Sequence, residues 1–186
     1  MIKIATIGHS NHSIEDFLLL LKGNKIDAVA DVRSNPYSKY ASQFSRENLK
    51  DSLLKEGIHY VFLGEELGAR RNNTALYDID GKVDFDKVAE TTSFQNGLKR
   101  LIEGAKKHSI ALMCSEKNPL DCHRTHLVAK YLIKAGIEVN HIMADGHATS
   151  HDLVIKQSVK QPDLLMSDED TVYETKGRKI AYKAKN

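Results

Sequence analysis

Five short apolar runs punctuate this chain of 186 residues, and between them apolar residues return at helical spacing. The runs lie at 2–7, 27–32, 59–63, 110–114 and 139–143. Parallel strands cannot be joined by a tight turn and need a crossover, which a helix supplies. The alternation therefore predicts a single α/β domain: a mostly parallel sheet of about five strands with helices on both faces. That domain is expected over 1–145, with 146–186 a C-terminal extension of one helix and a polar tail packed on it. Ligands of such sheets sit beyond the carboxyl ends of the strands.

Local signals place the helices. Ser13 can cap one that runs through Phe17-Leu18-Leu19-Leu20-Leu21 and stops at Gly23. Ser45 can cap a second, carrying Leu49, Leu53 and Leu54 and ended by Gly57. Residues 64–84 break the rhythm with glycines, paired arginines and Asp80-Gly81, and read as a long loop, the best candidate for a lid. Helical spacing resumes over 85–89 and 94–105, and again after Pro119 with Leu127, Val128, Tyr131, Leu132 and Ala135. A short helix is expected over 152–159, then a charged segment with at most one short strand near 179–182.

Composition narrows the partners. An apolar fraction of 41% supports a real core, and a formal charge of +2 makes no global case for nucleic-acid binding. No apolar run approaches the ~20 residues of a membrane span, so no membrane partner is expected. The N-terminus enters its first strand directly, without the longer apolar core of a signal peptide. The expectation is a cytoplasmic protein whose two cysteines, Cys114 and Cys122, are free thiols.

Four of the runs end in chemistry-bearing residues. The first is followed by Gly8-His9-Ser10, where glycine allows close backbone approach, Ser10 can contact a ligand and His9 can move a proton. After the second, Asp31 and Arg33 share a strand face. They either pair with each other, or Arg33 grips a carboxylate or phosphate as a fork. The third leads to Gly68-Ala69-Arg70-Arg71, where Arg70 suits a phosphate as well as it suits solvent. The fourth ends at Cys114-Ser115-Glu116 and reaches Cys122-His123-Arg124.

That last stretch carries the most chemistry. Asn118 or Asp121 can cap the helix after it, putting Cys122 in or near the first turn. Helix-end potential and Arg124 would favour a thiolate there, so Cys122 is a candidate nucleophile with His123 or His9 as base. Glu116 is the candidate general acid or base. Cys114 belongs on the strand itself, where packing is its ordinary role. Cys114, Cys122, His123 and His126 could together offer four ligands, but seven residues separate the cysteines and no knuckle pair is present, so no metal site is expected. No cofactor can be named. His141, His147 and His151 are scattered and read as loop or surface positions.

Thr6-Ile7-Gly8-His9-Ser10, Asp31-Val32-Arg33 with Pro36 and Ser38, Leu67-Gly68, and Met113-Cys114-Ser115-Glu116 with Pro119 and Cys122-His123-Arg124 resemble domain-of-unknown-function family 488. The resemblance runs from the N-terminus to about Ile142 and implies one α/β domain. It brings no settled activity, although some members carry labels linked to DNA repair. The reading favoured at this point is an enzyme acting on a phosphate-bearing or nucleotide-like small molecule held by Arg33, Arg70 and Arg124. The alternatives are a nucleic-acid-binding module using Lys39, Arg46, Arg70, Arg71 and the lysines of the tail, and a non-catalytic sensor of an anionic ligand.

Overall fold

A computed structural model describes residues 2–159 and 169–183. The chain opens with strand β1 (Lys3–Gly8) and helix α1 (Ile14–Gly23), capped as expected: the Ser13 hydroxyl accepts from the Asp16 amide at 3.0 Å. Strand β2 (Ala28–Asp31), helix α2 (Arg46–Lys55) and strand β3 (His59–Phe62) follow. Ser45 stands at the start of α2 but makes no side-chain cap bond. Beyond β3 the chain forms the single turn α3 (Gly64–Leu67), then α4 (Phe85–Glu90), α5 (Thr92–Ala105) and strand β4 (Ile110–Cys114).

After β4 the path departs from the expected helix. A 3-10 turn at Pro119–Asp121 precedes Cys122, which is extended (φ −135°, ψ 141°), and a wide π-turn covers Arg124–Ala129 before α6 (Lys130–Lys134). Cys122 therefore lies between two turns and not in the first turn of a helix. All six π-turn residues are buried, and such widened turns recur at functional sites. Strand β5 (Glu138–Ile142), the three-residue β6 (Ala148–Ser150), α7 (His151–Val159) and α8 (Glu169–Ile180) complete the order.

The strands form one sheet in the order β3-β2-β4-β1-β5-β6. All neighbours are parallel except the antiparallel β5–β6 pair. Six strands stand where about five were expected, because β6 is too short to leave a pattern. Ile7, Val29, Ala111 and Met113 pack on one face against Phe17 and Leu21 of α1 and Leu49 and Leu53 of α2. Ile4, Ala30, Leu112 and Cys114 pack on the other against α4, α5 and the π-turn. Strands buried on both faces read as continuous apolar runs, as β4 does throughout and β2 does up to Asp31.

Three further expectations are corrected. The 64–84 segment is not structureless: besides α3 it holds a 3-10 turn at Thr74–Leu76. The place of a strand near 179–182 is taken by the end of α8, followed by an isolated bridge from Lys183 to Lys82. His141 and His151 are buried, and only His147 is exposed. The charged segment at 160–168 lies outside the described residues. Among the described residues no helix is long and apolar enough to cross a membrane.

Candidate functional site at the ends of β1, β2 and β4

β4 lies between β2 and β1, so three of the four chemistry-bearing loops leave the sheet side by side. Backbone bonds lace them together. The His9 and Ser10 amides donate to the Cys114 and Ser115 carbonyls at 2.9 Å each, and the Val32 amide donates to Met113 at 3.1 Å. Gly8 permits this closeness, since a Cβ there would lie 1.9 Å from the Glu116 carbonyl oxygen.

On the β2 side, Arg33 and Asp31 form a buried fork. Arg33 Nε and Nη2 donate to the two Asp31 carboxylate oxygens at 2.9 and 2.7 Å, and Tyr60 donates to the same carboxylate at 2.8 Å. Nη2 also reaches the Phe44 carbonyl, and Nη1 lies 3.2 Å from His9 Nε2. A guanidinium only donates, so His9 Nε2 accepts and Nδ1 carries the proton given to the Ser10 carbonyl at 2.9 Å. Burial first, then the Arg33 charge, hold His9 down to about 4. Stacked on Phe44 with ring centroids 4.4 Å apart, it is a fixed neutral ring.

On the β4 side, two thiols, an imidazole and a carboxylate cluster. His123 Nε2 donates to the Val32 carbonyl at 3.0 Å, so Nδ1 is the acceptor when the ring is neutral. Burial lowers the His123 pKa, but the Cys114 sulfur and the Glu116 carboxylate outweigh this and raise it above the ordinary value. Nδ1 lies 3.7 Å from Cys114 Sγ and 3.8 Å from Cys122 Sγ. Cys122 Sγ donates to Glu116 Oε2 at 3.0 Å and accepts the Arg124 amide at 3.4 Å. The adjacent Cys122 sulfur and burial push the Cys114 thiol well above its ordinary range. Burial raises Glu116, but hydrogen bonds from the two thiols outweigh it and bring the carboxyl down to about 2.

A cleft of about 210 Å³ opens over this cluster. It is lined by the buried Cys114, His123 and Arg33, by Ser34, Asn35, Ser115, Glu116 and Asp121, and by the exposed Arg70 with Tyr182. The Arg70 guanidinium lies over the Tyr182 ring at 4.8 Å. A larger cavity of about 490 Å³ lies between α4 and α8 and holds none of this cluster.

The structure thus brings Cys114, Glu116, His123, Arg33 and Arg70 to one opening, with Cys122 directly beneath it at 1% exposure. It does not bring the rest there. Arg124 spends its guanidinium on the Glu116 and Lys117 carbonyls at 2.7 and 3.3 Å, bracing the loop from below. His9, Asp31 and Gly8 support the walls from behind, and Ser10 bonds the Asn11 side chain at the surface. Ser34, Asn35, Asp121 and Tyr182 were missed, and a lone tyrosine in a charged tail carries no signal of its place.

A doubly covered, largely parallel sheet with a Cys-His-Glu cluster at its strand ends defines the class of protein. The family model described as "Domain of unknown function DUF488" matches residues 13–132, well over half the chain, and the chain belongs to that family. No curated protein and no solved structure matches it.

Proposed function

We propose that the protein is an enzyme acting on a phosphate-bearing or nucleotide-like small molecule held in the cleft above Cys114 and His123. One observation carries the reading: two guanidinium groups, hydroxyls, an imidazole and two carboxylates from five stretches of the chain line the same opening. Convergent polar groups at the carboxyl edge of a parallel sheet are the usual setting of a ligand site.

The roles of the three arginines separate here. Arg33 is committed to Asp31 and Arg124 to backbone carbonyls. Arg70 makes no ion pair with the described residues, and its guanidinium is presented at the rim on an aromatic platform. It is the group that anchors the anion, while Ser34, Asn35 and Ser115 supply neutral hydrogen bonds. Glu116, which lines the opening, is the group placed to move a proton on the bound molecule.

Calorimetry with inorganic phosphate and with a nucleoside monophosphate tests this. Losing a charged hydrogen-bond donor costs about 1.5–3 kcal/mol, so Arg70→Ala should weaken binding by about tenfold or more. Arg70→Lys should recover part of it, because the ammonium keeps the charge and loses the fork. Wild-type protein that binds neither probe, or an alanine variant that binds as well, refutes the reading.

A further inference from the structure

The cluster beneath the cleft holds a geometry that proton transfer does not use. The sulfurs of Cys114 and Cys122 and a ring nitrogen of His123 all lie within 4.8 Å of one another, and all three residues are buried. One lone pair, on Nδ1, faces both sulfurs. A hydrogen bond can use that lone pair for one thiol at a time; a cation at the centre would engage all three groups.

We propose that Cys114, Cys122 and His123 bind a zinc-class divalent cation whose fourth position opens into the cleft. This goes beyond the function proposed above and stands on the side-chain geometry alone. A tetrahedral zinc with its ordinary bond lengths sets sulfur and nitrogen ligands about 3.6 Å apart and two sulfurs about 3.8 Å apart. The two sulfur–nitrogen separations, 3.7 and 3.8 Å, are already within a few tenths of that edge. The two sulfurs, no more than 4.8 Å apart, need to close by about 1 Å at most.

The surroundings are those of a ligand set. His123 gives its other nitrogen to the Val32 carbonyl at 3.0 Å, which fixes the ring with Nδ1 aimed at the sulfurs; ligating histidines are oriented in this way. The Arg124 amide points at Cys122 Sγ at 3.4 Å. Two thiolates and an imidazole suit zinc-class ions, whereas magnesium and calcium require oxygen. Cys114, His123 and Glu116 line the cleft and Cys122 does not, so the side left open for a fourth ligand is the cleft. Three protein ligands with an open fourth position is the pattern of a catalytic ion. Binding displaces one proton from each thiol to solvent and changes no oxidation state.

The test uses the full chain, dialysed with zinc or cobalt(II) under reducing conditions. Elemental analysis should find about one ion per chain, and the cobalt form should show a thiolate charge-transfer band with the intense visible bands of a tetrahedral site. Cys114→Ser and Cys122→Ser should each lose the ion and the band. Arg70→Ala should keep both, so failure of the anion site and failure of the metal site are told apart. Where the serine variants do not fold, alkylation of the wild-type thiols decides: added zinc should slow labelling of both cysteines, and a chelator should restore it. Absence of bound ion, metal retained equally by the serine variants, labelling indifferent to zinc, or a Cys114–Cys122 disulfide that forms in air despite saturating zinc would each overturn the proposal.

Discussion

Replacing His151 by glutamine should make the acid side of the stability profile less steep. The ring lies in a buried file: Thr6 Oγ1 is 2.7 Å from His141 Nδ1, His141 Nε2 is 3.1 Å from His151 Nδ1, and His151 Nε2 is 2.6 Å from the Tyr173 hydroxyl. With neutral rings every link has one donor and one acceptor. A second proton on His151 would place a charge in this buried file. Burial is the main reason its pKa falls to about 4; Asp152 opposes the fall and His126 adds to it. The sign follows. The unfolded chain, with a value near 6.5, takes up a proton that the folded chain refuses, so stability is full above about 6.5 and falls until the folded value is reached. Between about pH 7 and about pH 5 this one group should remove about 2 kcal/mol. The chain has no tryptophan, so urea unfolding followed by far-ultraviolet circular dichroism is the assay. His151→Gln should lose about 2 kcal/mol less than wild type over that interval, whatever its stability at neutral pH. Parallel profiles would refute the claim that this histidine is held neutral by the fold.

Other expectations rest on the walls of the cleft. Asp31→Asn should destabilise by about 3–5 kcal/mol, because it leaves the buried Arg33 guanidinium uncompensated; an unchanged urea midpoint would show that the fork is not needed. Gly8→Ala should cost about 1–3 kcal/mol, since its methyl collides with the Glu116 carbonyl. Gly23→Ala is the control, because a Cβ there meets nothing within 4 Å. Equal melting temperatures for the two alanine variants would remove the close approach of the β1 and β4 loops from the account.

Much of the fold was legible in the order of residues. Runs such as Ile110–Cys114 are apolar at every position because both faces of the sheet are covered. Ser13 reads as a cap because its partner amide is three residues away. Signals that act within one turn or one strand survive in a linear reading. The three-residue β6 leaves none, and α8, with charges around much of its surface, leaves only a weak one. The π-turn is hidden for another reason: Arg124–Ala129 is buried on all sides, so its packing and not its periodicity sets the winding.

The candidate site divides along the same line. Which side chains could do chemistry, and that they follow strands, was settled by residue type and position along the chain. Which of them meet was settled by strand order, which inserts β4 between β2 and β1 and lays their loops together. That is why Arg33 and Arg124, alike as sequence candidates, turn out to be braces, while Arg70 faces the opening. Cys114 and Cys122, eight positions apart on one connection, share one histidine nitrogen because the chain turns back on itself at Pro119–Asp121. A side chain's chemistry is local, but its partners are chosen by contacts between segments far apart in the chain, and only the packed structure contains those.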